Sequence, residues 1–304
     1  MNINDLESII TQNYKTATEE FKRLFHGRGG CYERWEFLTV DSIDKVLYIV
    51  YFFEIDKELE SKLNDMFSNI FNNSKYSCVI LQKRYILKEP SSILFGELPL
   101  EPYALELGLK YNLNLLSSRN SGFFADMKNG RKFVYENSIN KKVLNLFSYT
   151  CSFGVCAIKG GATSVVNVDM SKGALTQGRA NYHLNELSTK NVKFMPYNIL
   201  KSWSRIKNAG PYDLIVIDPP TFQKGSFIAT KDYDKIIKKL PTLCSDNCTV
   251  LAATNSPDIN PKYIIDIFKN HANEFKYTKR LENLETYPEI NSEKSLKNLI
   301  FIKE

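Results

Sequence analysis

A chain of 304 residues that is 43% hydrophobic and 24% charged has the make-up of an ordinary globular protein, with room for a full α/β domain and a smaller companion. Its 40 basic and 34 acidic residues leave a net charge of +6, which suits a phosphate-bearing partner but falls far short of a dedicated nucleic-acid binder. Six cysteines without a C-x-x-C pair and three scattered histidines argue against a metal site, and the longest apolar run, residues 46–53, is too short to cross a membrane. With no signal peptide read in the sequence, a reducing cytoplasm is the expected compartment.

Residues 5–25 carry helical spacing, with Leu6, Ile9, Ile10, Tyr14, Phe21 and Leu24 on one face. His26-Gly27-Arg28-Gly29-Gly30 then reads as a flexible basic loop, in which Arg28 could grip a phosphate or the glycines could simply form a hinge. Strands are expected at 35–40 and 46–53, a helix at 57–71, and further strands at 78–85 and 105–114. Proline-rich turns separate the later ones, at Glu89-Pro90-Ser91-Ser92 and Leu98-Pro99-Leu100-Glu101-Pro102. Soft boundaries fall near 74 and 130. They divide the chain into an α+β region (1–74), a β-rich segment (75–130) and a larger α/β domain (131–304).

The α/β domain opens with an apolar strand at 142–147, a loop Ser148-Tyr149-Thr150-Cys151-Ser152-Phe153-Gly154, a helix at 155–159 and the helix-ending pair Gly160-Gly161. A second strand, 164–170, contains Asp169 about twenty residues after the first loop, and a helix follows over 171–187. A third strand at 192–197 stops before Asn198. The fourth, 214–217, is short and β-branched, as strands covered on both faces tend to be. It halts at Asp218-Pro219-Pro220-Thr221-Phe222, because proline has no N–H for the ladder. Gln223-Lys224-Gly225-Ser226 beyond it reads as a lid or a plain surface loop. A helix at 231–243, a strand at 249–254, a helix at 261–270 and strands at 277–284 and 296–302 complete the alternation of a doubly wound sheet.

Open α/β sheets bind ligands at the C-terminal edge of their parallel strands, which is where Asp169 and Asp218 stand. Asp169 is placed to hold both hydroxyls of a ribose, although an acid there can also simply cap the next helix. Asp218 and the neighbouring carbonyls can accept hydrogen bonds from a planar amine or base edge, with Phe222 to stack on its ring. A dinucleotide would need several glycines so that backbone N–H groups could approach its pyrophosphate. The first loop has only Gly154. That pattern suits a nucleoside cofactor without phosphates, S-adenosylmethionine.

Asn145-Leu146-Phe147-Ser148-Tyr149-Thr150, Val168-Asp169-Met170-Ser171 and Asp218-Pro219-Pro220-Thr221-Phe222 resemble the class I ribosomal-RNA large-subunit methyltransferases of the I and K/L types. Ser121-Gly122-Phe123-Phe124-Ala125-Asp126-Met127-Lys128 with Arg131 resembles the Gly-aromatic-aromatic-Leu-Asp-x-Arg segment of that family. The resemblance covers roughly residues 75–302 and is strongest from Gly122 to Phe222. It implies a class I methyltransferase sheet, Rossmann-like with a closing antiparallel strand, preceded by a smaller α+β region without a recognisable RNA-binding module. It further implies S-adenosylmethionine as cofactor and large-subunit ribosomal RNA as partner. Phe124, Asp126, Arg131, Asn145, Phe147, Tyr149, Asp169, Met170, Asn198 and Asp218 are the cofactor-site residues it suggests, with Asp169 on the ribose and Met170 against the adenine.

Methylation at cytosine carbon 5 needs a thiolate to make the ring nucleophilic, and family members that do this carry a cysteine just after the fifth strand. Here that strand ends Ala252-Ala253-Thr254-Asn255-Ser256-Pro257, so the carbon-5 route is disfavoured. A base nitrogen already has a lone pair and needs only orientation and a proton acceptor. The strand end with Asn255 resembles the guanine-N7 half of the K/L type, which favours nitrogen methylation by Asp218, Pro219, Pro220, Phe222 and Asn255. The rivals are a small-molecule methyltransferase, expected to show a closed apolar pocket, and a non-catalytic RNA-binding protein that keeps the fold. A nicotinamide oxidoreductase fits least.

Overall fold

In the computed structural model, which describes residues 1–117, 119–223 and 225–304, helix α1 (Ile3–Lys15) starts at a reciprocal cap. Asn2 accepts from the Asp5 N–H at 2.9 Å, and Asp5 accepts from the Asn2 N–H at 2.9 Å. The expected helix over 5–25 is shorter than its apolar spacing suggests. Thr16 donates to the Asn13 carbonyl, and Lys22 donates to both Asn13 and Thr16, so side chains satisfy the last turn and the helix stops. Lys22–His26 is instead strand β1, with Leu24, Phe25 and His26 buried in succession.

Strands β2 (Leu38–Ile43) and β3 (Val46–Tyr51) follow, then helix α2 (Lys57–Asn72) and strands β4 (Cys78–Lys83) and β5 (Ser91–Gly96). They form one sheet in the order β1-β2-β3-β4-β5, antiparallel except for the β3–β4 pair that α2 connects. Leu6 and Ile10 of α1 and Leu63 and Phe67 of α2 pack on Leu38, Val40, Leu47 and Ile49 of that sheet. A hairpin of β6 (Tyr103–Glu106) and β7 (Leu109–Asn112) completes the segment. The sheet runs straight across residue 74, because β4 takes its hydrogen bonds from β3. The chain accordingly divides into two compact units: Met1–Ala125 with Leu284–Ile290, and Asp126–Asn283 with Asn291–Glu304.

The second unit opens with α3 (Lys128–Glu136) and strand β8 (Lys142–Leu146), then α4 (Ser152–Lys159), β9 (Ser164–Val168), α5 (Lys172–Leu184), β10 (Val192–Met195), α6 (Trp203–Asn208) and β11 (Tyr212–Ile217). A short hairpin, β12 (Phe222–Gln223) with β13 (Phe227–Ile228), leads into α7 (Ala229–Ile237) and β14 (Cys244–Thr254). Helix α8 (Pro261–His271) and strands β15 (Phe275–Leu281) and β16 (Lys297–Lys303) close the unit. The sheet order is β10-β9-β8-β11-β14-β16-β15. Its first five strands are parallel and β16 is antiparallel, which is the doubly wound sheet with a closing reversed strand expected from the sequence. Leu214, Ile215, Val216 and Ile217 are all buried, as a strand covered on both faces requires.

Helix α4 lies close on the sheet at Gly154. A Cβ there would collide with the buried side chains of Asn167 and Tyr182, which are themselves bonded through Asn167 Nδ2 and the Tyr182 hydroxyl at 3.1 Å. We expect Gly154→Ala to cost about 1–3 kcal/mol of stability through overpacking. A thermal unfolding midpoint unchanged from that of the unaltered protein would contradict this close approach.

Among the described residues, no helix is long and apolar enough to cross a membrane, and no group of three or more metal-ligating side chains assembles.

Candidate active site

The loop after β8 carries three non-glycine residues in the left-handed region: Phe147 (φ 56°), Tyr149 (φ 45°) and Cys151 (φ 61°). Each such residue costs of order 1–3 kcal/mol unless its surroundings hold it, and such strain concentrates at ligand sites. Here the holding groups are visible. The Ser148 N–H donates to the Val168 carbonyl (3.1 Å), the Tyr149 N–H to Asp169 Oδ2 (2.9 Å) and the Cys151 N–H to the Ser148 carbonyl (2.7 Å). Buried Asn181 donates to the Thr150 carbonyl at 3.0 Å. Asp169 therefore ties the first loop to the end of β9, and its Oδ1 also accepts from the Ser171 N–H at 2.8 Å. Burial pushes its carboxyl up from the usual range, while those two N–H donors pull it back.

Phe147, Asp169, Met170 and Asn198 line one open cleft, together with Ile199, Leu200, Gln223, Ser226 and Phe227. Four of the residues picked from the sequence thus meet at the edge where β8, β9 and β10 end. Phe147 and Phe227 meet edge to face, their centroids 4.9 Å apart, so the β12–β13 hairpin forms a wall of the cleft. Ile199 and Leu200, in the turn just after Asn198, were findable by adjacency. Phe227 was not, because its approach depends on the hairpin. Lys224, inside the segment read as a lid, lies outside the described residues.

Asn145 sits elsewhere. It is buried, and its Nδ2 donates to Asn167 Oδ1 at 2.9 Å, beneath the loop rather than on the cleft. Phe124 belongs to the first unit, where it is 45% exposed.

Asp126 and Arg131 are electrostatic neighbours of Asp218. Burial pushes the Asp218 carboxyl up to about 7, the nearby Asp126 adds to the rise, and Arg131 opposes it. Arg131 is a fully buried side chain on α3. Below them Tyr233, also buried, donates to the Ala253 carbonyl at 3.0 Å. The motif that follows Asp218 contacts the end of β14, where the Thr221 hydroxyl lies 3.3 Å from Asn255 Oδ1. Buried Lys297 donates to the Ser256 carbonyl (2.8 Å) and fixes the next residue of that turn. Neither Tyr233 nor Lys297 had announced itself in the sequence. Phe222 is 64% exposed, and Pro219 is buried.

A cleft with an acid at a strand end, aromatic and thioether walls and no glycine among its described lining residues suits a nucleoside bearing a sulfonium side chain. The sheet order and this site define a class I S-adenosylmethionine-dependent methyltransferase. A model of the S-adenosylmethionine-dependent methyltransferase family matches residues 22–302, and the chain belongs to that family. Among its relatives is ribosomal RNA large subunit methyltransferase I of Aeromonas hydrophila subsp. hydrophila, 39% identical over 49% of this chain and 38% of that protein. Another is ribosomal RNA large subunit methyltransferase K/L of Shewanella sp. (strain MR-4), 38% identical over 52% of this chain and 23% of its own length. The match thus spans well under half of each of these relatives. In three dimensions, SMU.776, a putative methyltransferase complexed with SAH, superimposes with a TM-score of 0.87 over 99% of this chain and 82% of that one, at 22% identity.

Proposed function

We propose that this protein methylates a base nitrogen of ribosomal RNA, with guanine-N7-like chemistry favoured. The observation that carries this reading is the Asp218-Pro219-Pro220-Thr221-Phe222 turn, joined through Thr221 to Asn255 where a carbon-5 enzyme would need a thiol. Cys248 is buried seven positions back along β14, roughly 20 Å away at strand spacing. Cys151 is fully buried, and burial pushes its thiol up, away from the thiolate that such chemistry demands. The names of the I and K/L relatives support ribosomal RNA as the substrate.

Bound in the cleft, S-adenosylmethionine supplies an electrophilic methyl group on a positively charged sulfur. Asp169 would hold its ribose, Met170 and Phe147 its adenine face, and Asn198 the adenine edge. At the target base, Asp218 and the carbonyl of Pro219 orient the nitrogen. The Asp218 carboxylate accepts a proton from an amine or balances the positive charge left on a methylated ring nitrogen. Exposed Phe222 offers a face on which a base can stack, and such stacking is worth about 1–3 kcal/mol per base.

Phe222→Ala is therefore expected to weaken RNA binding while leaving cofactor binding nearly unchanged, as read by fluorescence anisotropy and calorimetry side by side. Equal losses of both would remove Phe222 from the base site. Nucleoside digestion of RNA methylated by the protein tests the chemistry itself: 7-methylguanosine or another nitrogen-methylated nucleoside is expected, and 5-methylcytidine would overturn it.

A further inference from the structure

The first unit gathers two arginines around one aromatic ring and a third beside them. The guanidinium carbon of Arg28 stands 4.2 Å from the centroid of Phe52, and that of Arg84 stands 5.4 Å from the same centroid. Arg84 also donates to Asn120 Oδ1 at 2.7 Å, beside Arg119 in the chain. Burial, and after it the charges of Arg119 and Arg28, push the Arg84 guanidinium down from its ordinary value. Glu289 is the acid whose charge reaches Arg28. Three like charges are thus held near one another, an arrangement that a bound anion relieves.

The patch is built rather than incidental. Arg28 sits in a 3-10 turn, Gly27–Gly29, and a Cβ on Gly27 would collide with the Trp35 carbonyl, so the turn is pressed against the body of the unit. The segment 26–30 is therefore a packed turn and not the flexible loop that its glycines suggest. Next to it, His26 is buried, meets the Tyr287 ring at a tilt with centroids 5.1 Å apart and is pushed down to about 3 by burial and by Arg23 and Arg28, so it stays neutral. Arg28 and Arg119 are exposed, Arg84 is half-buried, and the neighbouring Phe53 shows 47% of its surface. Guanidinium groups held on an aromatic ring keep their forked donors turned outward, and that fork matches phosphate oxygens.

We propose that Arg28 and Arg84, arranged about Phe52, together with Arg119 form a phosphate-binding patch that grips the sugar–phosphate backbone of the RNA substrate. This rests on RNA being the substrate, and it gives the first unit a part in holding it. Contacts to phosphate position an RNA without reading its sequence, so the patch supplies affinity and salt dependence rather than base choice.

The test compares the unaltered protein with the triple variant Arg28→Gln/Arg84→Gln/Arg119→Gln, titrating fluorescent, unmodified fragments of large-subunit ribosomal RNA across a salt series. The variant is expected to bind RNA about tenfold or more weakly, with the slope of log Kd against log salt reduced by about 2–3, and to bind S-adenosylhomocysteine as before. If the unaltered protein binds RNA and the triple variant keeps both its affinity and its slope, the patch is overturned while the RNA reading stands. If the unaltered protein binds no RNA at all, the RNA reading falls and takes the patch with it. Should the triple variant fail to fold, Arg119→Gln alone, at an exposed side chain, is expected to lower the slope by about 0.7–0.9, and an unchanged slope overturns the proposal.

Discussion

Asp169→Ala is expected to weaken S-adenosylmethionine binding by about 30- to 1000-fold, the equivalent of roughly 2–4 kcal/mol. The carboxylate accepts the N–H groups of Tyr149 and Ser171, which fastens a loop with three left-handed residues to the end of β9, and in the proposed role its remaining lone pairs hold a ribose. Hydrogen bonds to a charged acceptor contribute about 1.5–3 kcal/mol each, so losing the ribose contacts and loosening the loop compound each other. Asp169→Asn keeps one acceptor oxygen but turns an NH2 group toward one of those N–H donors, so it should fall between the two. Calorimetric titration with S-adenosylhomocysteine checks this. Affinity within about threefold of the unaltered protein would remove Asp169 from the cofactor site.

Asp218→Asn should act on turnover instead, lowering it by about 10²–10⁴-fold while cofactor binding persists. The pH dependence gives the sharper signature. With its carboxyl raised to about 7 by burial and by Asp126, Asp218 gains its charge only as pH rises through neutrality, so activity should climb between acid and weakly alkaline pH. Asp126→Asn removes one cause of the rise, and the acid limb should move to lower pH. Stability runs the other way. The folded value lies above the unfolded one of about 3.9, so the contribution of Asp218 is fully present below that value and is lost as pH rises through about 7. Asp218→Asn should therefore gain stability relative to the unaltered protein above neutrality. An activity profile flat across this range would exclude the carboxylate from the reaction.

The sheet was legible because its strands are short, apolar and stopped by conspicuous residues. Leu214 to Ile217 end at two prolines, and the strand at 164–168 ends just before Asp169; such patterns follow from the backbone alone. Phe147, Asp169, Met170 and Asn198 were found together because each occupies the end of a parallel strand or the loop after it, where position in the sequence fixes position in space. Residues that act from a distance were harder to see. Lys297 reaches Ser256 from a strand paired in reverse, and Phe227 reaches Phe147 from a short hairpin, contacts that only the folded chain creates. The misread helix over 21–25 had a different cause. Phe21 and Leu24 fit a helical stripe as well as a buried strand, and the outcome was decided by Thr16 and Lys22 capping the turn before them. Glycines at 27, 29 and 30 suggested freedom, whereas at Gly27 the requirement was room for a neighbouring carbonyl.

The most direct test is transfer of label from methyl-labelled S-adenosylmethionine to unmodified large-subunit ribosomal RNA, with Asp218→Ala as the control. Label should enter the RNA with the unaltered protein and be absent with the variant. Cofactor binding without any label in RNA would contradict the assignment of ribosomal RNA as the substrate.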